Sequence, residues 1–115
     1  MPLSRSYKET IQDRAQHDPE FRVALFDEAI NALLEGETNV GKALLRDLVH
    51  TTVGFEGLAS ELAKSSKSLH RMLAPSGNPS MENLFQIINA VKKHAGISVQ
   101  VASSCIQQNT QQIVA

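Results

Sequence analysis

Residues 54 to 80 read GFEGLASELAKSSKSLHRMLAPSGNPS, and within them two short amphipathic patterns are interrupted near Ala63 to Ser65. That interruption constrains the fold more than any other feature. Leu58, Ala59 and Leu62 form one apolar stripe at helical spacing, and Leu69, Met72 and Leu73 form a second. At about 100° per residue, Lys67, Arg71 and Ala74 point away from Leu69. The pattern predicts two short helices joined by a tight turn, the second one apolar behind and basic in front. Ser65 or Ser66 is placed to cap that second helix by accepting from an orphan backbone amide.

A basic pair at helical spacing is usually no more than a solvated face. The surrounding charge argues for more. Lys64, Lys67 and Arg71 are the three basic residues between Ala63 and Ser80, and no acid lies among them. A phosphate-facing surface requires such a clearance of negative charge. An α-helix fits the major groove, roughly 12 Å wide, where arginine pairs bidentately with guanine and lysine reaches guanine or phosphate. The amides at the start of the second helix favour an anion such as a DNA phosphate. The candidate DNA-binding residues are therefore Lys64, Ser65, Ser66, Lys67, Ser68, His70 and Arg71. His70 flanks the outward face, where contact with DNA and packing against the domain are both open to it.

The rest of the chain reads as more helix. Tyr7 to Gln16 suits a short charged helix, and Asp18-Pro19 supplies a cap and a first-turn proline for the next. Phe21, Leu25, Ala29, Ala32 and Leu33 hold a helical rhythm until Gly36 ends it. With Thr38 or Asn39 as cap, Val40, Ala43, Leu44, Asp47 and Leu48 trace a third helix to about Thr52, its stripe widened by Leu45 and Val49 and closed by Gly54. A last helix starts at Asn78-Pro79 or Ser80 and stops near Gly96, with Leu84, Ile87, Ile88 and Val91 at i, i+3, i+4, i+7 spacing. Ile97-Ser98-Val99-Gln100-Val101 then alternates apolar and polar, as a half-buried strand does. Having no convincing partner in the chain, this strand is expected to pair with its copy in a symmetric homodimer; a coil-like extension packed on its own domain is the alternative.

The expectation is an all-α, five- to six-helix repressor-like bundle containing a helix-turn-helix, with a short C-terminal β-strand pairing across a dimer. Its parts are a helical extension over 1–36, a DNA-binding unit with the strand over 37–102 and a tail over 103–115, which lacks any charged residue. Residues 1–50 hold nine acids and six Lys or Arg, net −3, whereas 51–115 hold three acids and five Lys or Arg, net +2. The overall formal charge of −1 argues against unselective coating of nucleic acid.

Catalysis finds no support in the residues. His17, His50, His70 and His94 are scattered over separate helices, and there is no His-Glu-x-x-His pair, no Gly-x-Ser-x-Gly elbow and no phosphate-cradling glycine loop. Paired acids such as Asp27-Glu28 are in helical chains mostly solvated faces. Neither an enzyme, a cofactor nor a metal site is expected. Cys105 is the single cysteine, so no disulfide can close within the chain, and a reducing cytoplasm is the expected setting. The first 16 residues lack the apolar core of a signal peptide, and no apolar run approaches a membrane span.

At Leu58-Ala59, Ser66-x-x-Leu69-x-Arg71-x-Leu73, and the following Ser76-Gly77-Asn78-Pro79 with its amphipathic helix, the chain resembles the addiction-module antidote proteins. These are antitoxins of the Cro/repressor-type helix-turn-helix superfamily, and the resemblance runs from about Gly36 to Val101. It implies two jobs: repressing the module's own operon through double-stranded operator DNA, and binding a small toxin, often an RNase of the RelE-like type. The acidic helix from Pro19 to Glu35 is a candidate surface for such a basic toxin. Two residues depart from the pattern. Ala63 stands where a left-handed backbone favours glycine, and Lys64 stands where an apolar residue usually tucks under the turn, a place where its stem can lie along the core while its ammonium reaches solvent or phosphate. Two other functions suit the same residues: a phage-type helix-turn-helix regulator with no toxin, and a helical protein-interaction module whose basic face binds an acidic protein.

Overall fold

A computed structural model describes residues 2–106, with side chains described from residue 10 onward. Six helices follow one another: α1 (Pro2–His17), α2 (Pro19–Leu34), α3 (Thr38–Thr51), α4 (Gly54–Leu62), α5 (Ser66–Met72) and α6 (Met81–Ala95). The architecture is all-α, and no helix among the described residues is long and apolar enough to cross a membrane.

Local chemistry sets most of the helix ends. Asp18 caps α2 by accepting from the amides of Glu20 and Phe21, with Pro19 at the first helical position, where its missing N–H costs nothing. Ser65 caps α5 by accepting from Ser68 N at 3.0 Å, and Ser80 caps α6 by accepting from Asn83 N at 3.1 Å. Gly96 ends α6 in the left-handed conformation at φ 72°. The start of α3 differs from the sequence reading. Thr38 and Asn39 already lie in its first turn, so neither caps it, and the N-cap residue Glu37 makes no side-chain capping bond.

One apolar cluster ties the helices together, running from Ala15 of α1 through Leu25, Phe26 and Ala29 of α2 to Ile87 and Val91 of α6. The α2–α3 contact is its largest seam, and Gly41 permits it: a Cβ there would stand 2.6 Å from the Leu33 side chain. Close approach rotates α3 from the face its spacing suggests. Leu45, Leu48 and Val49 are fully buried, while Val40 is exposed and Ala43, Leu44 and Asp47 are half-buried. Phe26, absent from the predicted α2 rhythm, is among the largest fully buried side chains. At the α1–α2 corner the Arg22 guanidinium donates to the carbonyls of Ala15 and Gln16.

After Gly96 the chain forms no strand ladder among the described residues. Ile97 packs on the core, and Val99 to Ser103 run beside Phe26, Ile30 and Leu34 of α2. Of the tail predicted over 103–115, residues 107–115 lie outside the described residues.

Candidate nucleic-acid interface

The turn between α4 and α5 is made at Ala63, whose φ of 55° and ψ of 44° put it in the left-handed region, the one non-glycine residue with positive φ among those described. The conformation stops α4 and lets the Lys64 amide donate to Ala59 O at 3.1 Å. Ser65 is extended at φ −78° and ψ 146°, and its hydroxyl starts α5. Three residues thus turn the chain from one short helix into the next.

The α5 frame is fixed from behind. Leu69 and Leu73 are fully buried against Leu58 and the rest of the core, with Met72 half-buried beside them. Two cations from α3 hold the far end. The Arg46 guanidinium donates to Leu73 O, while the buried Lys42 ammonium donates to Gly77 O at 2.6 Å and Pro75 O at 3.3 Å. Charge-assisted bonds of this kind are stronger than neutral ones, and here they satisfy the C-cap carbonyl of a seven-residue helix and two carbonyls of the loop after it. Gly77 must be glycine for this loop to close, because a Cβ would stand 2.1 Å from Arg71 O and 2.6 Å from Met72 O. The Ser-Gly-Asn-Pro segment is therefore a close-packed strap under α5.

On the front of α5, Lys67 and Arg71 are exposed one turn apart, and neither forms an ion pair or hydrogen bond with a described residue. Lys64, in the bend before α5, is half-buried with no carboxylate partner among the described residues. The nearest acid in sequence, Glu61, is drawn off elsewhere. Its carboxylate accepts from His94 Nε2 at 2.7 Å and Lys93 Nζ at 3.3 Å, both on α6. The His94 hydrogen bond, aided by the Lys93 charge, holds the Glu61 pKa below its ordinary value. The outward face of α5 keeps its positive charge unneutralised.

The other predicted residues divide by position. Ser65 is exposed and spends its hydroxyl on the cap, Ser66 is half-buried in the first turn, and Ser68 lies half-buried beside Arg71 at the edge of a hollow of about 360 Å³. His70 is exposed yet stacks on Phe55 of α4, with ring centroids 3.8 Å apart and planes 17° from parallel. His50 of α3 meets the same Phe55 edge-on at 5.1 Å. His70 thus braces α5 against α4 from the flank of the basic face.

Sequence reasoning passed over Ser76, Asn78 and Asn83, which line the hollow with Ser68 and Arg71. The signal was present as a run of small hydroxyl and amide residues after α5 with no acid before Glu82. It was hidden because only the strap geometry brings them back beside Arg71. Among the described residues, no group of three or more His, Cys, Asp or Glu side chains is arranged to hold a metal ion. Compared with protein-family models, curated proteins and solved structures, the chain matches none.

Proposed function

We propose that this chain is a sequence-specific, operator-binding repressor that acts in the cytoplasm as the antitoxin of a toxin–antitoxin module, and that it is not an enzyme. One observation carries the DNA half: an exposed Lys67–Arg71 ridge, with Lys64 at its start, stands on a short helix locked from behind and has no carboxylate partner among the described residues. Rigid backing matters because a base-reading side chain must be delivered in register, and ordering a loose helix on binding would weaken the complex. Arg71 reads a base edge, Lys67 reaches base or phosphate, and Lys64 contacts the backbone. The hollow of Ser68, Ser76, Asn78 and Asn83 beside Arg71 suits the adjacent phosphates, which accept from hydroxyl and amide donors.

Operators are pseudo-palindromic when their readers are two-fold dimers. Pairing of Ile97–Val101 with its copy supplies such a dimer, since this segment finds no ladder partner among the described residues. The DNA-reading unit spans residues 37–102, with residues 1–36 as a helical extension of it. Neutralisation of a small RNase-type toxin rests on the resemblance of the Ser66 to Pro79 region to antidote proteins. The deciding experiment is a gel shift with the DNA upstream of the chain's own gene. Retarded bands for wild type, lost when Lys67 and Arg71 are both changed to alanine, support the reading; equal retardation of the two proteins removes it. Failure to co-purify with the product of the adjacent small gene would remove the toxin half while leaving the repressor half standing.

A further inference from the structure

Opposite in character to the basic ridge is a surface where α2 and α6 leave their apolar side chains uncovered. Leu34 is 78% exposed, Met81 75% and Phe85 52%, and they lie together around adjoining hollows rather than scattered singly over the surface. They border two adjoining hollows of about 230 and 340 Å³ that share Leu33, Leu84 and Phe85 in their walls. The smaller is lined entirely by apolar residues, Ile30 and Ile88 completing it. An aliphatic or aromatic side chain would fill either one.

The rim decides what can fill them. Asp27 stands two turns before Leu34, on the side of it where Val99 to Ser103 run; Glu35 follows Leu34; Glu37 precedes the lining residue Thr38; and Glu82 lies one turn before Phe85. All four carboxylates are exposed, and none forms an ion pair with a described residue. The one basic residue in the lining, Lys42, is buried and committed to the Pro75 and Gly77 carbonyls, and Lys92 is a lone cation one turn past Ile88. A second copy set on this face by two-fold symmetry would bring four carboxylates and one ammonium against the same set, so like charge would meet like. The chain's own C-terminal residues carry no charge at all from Ile97 onward and leave the carboxylates unanswered.

We infer that the α2–α6 groove is a docking surface for a basic protein segment, an amphipathic element that seats apolar side chains against Phe85 and Leu34 and sets lysines or arginines on Asp27, Glu35, Glu37 and Glu82. Apolar anchors in pockets ringed by complementary charge are the common form of a protein-recognition site. None of these observations depends on the antitoxin reading, so the groove and that reading stand or fall separately.

The probe is a labelled 16-residue helical peptide with leucines along one face and lysines and arginines along the other; its control carries glutamates in place of every cation. Fluorescence anisotropy with the full chain should show saturable binding of the basic peptide and at least tenfold weaker binding of the acidic one. Phe85→Asp should lose at least tenfold, and the triple variant Glu35→Gln, Glu37→Gln, Glu82→Gln should lose a comparable factor and flatten the salt dependence. Circular dichroism and urea unfolding show that both variants are folded. Equal binding of the basic peptide to wild type and Phe85→Asp overturns the proposal. Two further outcomes would also overturn it: a wild-type dimer that sedimentation shows to become monomeric in Phe85→Asp, which assigns the groove to a second copy, or a large gain in peptide affinity on Ile113→Asp, which assigns it to the chain's own end.

Discussion

Changing Ala63 to glycine should make the protein more stable, although glycine is the worst ordinary residue for most helical positions. At φ 55° and ψ 44° the Ala63 Cβ crowds the following carbonyl, a strain of roughly 1–2 kcal/mol for an L-residue. Glycine removes that strain but loosens the unfolded chain, returning roughly 0.4–1 kcal/mol. Ala63 is exposed, so deleting its methyl forfeits little packing. The balance runs from roughly 0 to 1.6 kcal/mol and centres on a gain of about 0.8 kcal/mol, equivalent to about 3–5 °C in Tm for a chain of this size. Urea and thermal unfolding followed by circular dichroism would measure it. Ala24→Gly is the matched control: exposed, in the middle of α2 and in ordinary helical conformation, it should lose about 1 kcal/mol. The two variants must therefore move in opposite directions. If Ala63→Gly were destabilising like Ala24→Gly, the backbone at 63 would not be left-handed, α4 would not end there, and the angle that presents Lys67 and Arg71 would lose its basis.

Other expectations bear on the site and its support. Arg71→Ala should cost roughly 1–3 kcal/mol at the cognate operator and relax base choice, as read by gel shifts with point-substituted duplexes. Lys64→Ala should instead weaken binding to all duplexes alike and lower the salt slope by about 1, so a sequence-dependent loss would reverse the roles given to the two residues. Gly77→Ala places a methyl 2.1 Å from Arg71 O, and the strap must shift, destabilising the fold by roughly 1–3 kcal/mol in urea unfolding. A Gly77→Ala protein as stable as wild type would show that the strap does not press on α5. For Glu61, a pKa held below 4.5 by His94 and Lys93 means a stabilising contribution present in full above the ordinary carboxylate pKa and lost as pH falls through the lowered one. Wild type should exceed Glu61→Gln in stability at neutral pH and converge with it in acid; a gap that persists unchanged into acid would deny the carboxylate's charge any part.

What could be read from the sequence was what neighbouring residues decide among themselves. The caps at Asp18, Ser65 and Ser80 and the stop at Gly96 follow from side chains within three positions of the amides they satisfy or from a backbone only glycine adopts freely. The basic ridge was legible for the same reason, because Leu69 and Leu73 turn inward and so force Lys67 and Arg71 outward on the same seven residues. The inward face of α3 was not legible. Val40 and Leu45 are equally apolar, and only the approach of α2 at Gly41 buries the second and leaves the first in water.

The same division explains why the supporting side chains were missed. Lys42 reads in sequence as one more solvated cation, yet it is buried, because the carbonyls that repay its desolvation lie 33 and 35 residues further on. Glu61 reads as an acid beside a DNA-facing turn, and only the return of α6 supplies the His94 and Lys93 that pair with its carboxylate. His70 offers a ring nitrogen at the edge of the reading face, but its stack on Phe55 spans 15 residues and the α4–α5 turn. In each case a polar or aromatic side chain has had its environment rewritten by a distant element, whereas no distant carboxylate among the described residues pairs with Lys67 or Arg71. Their reading survives folding because Glu61, the nearest acid in sequence, is engaged by His94 and Lys93 of α6, and the electrostatic argument for DNA at α5 rests on that non-local fact as much as on the two residues themselves.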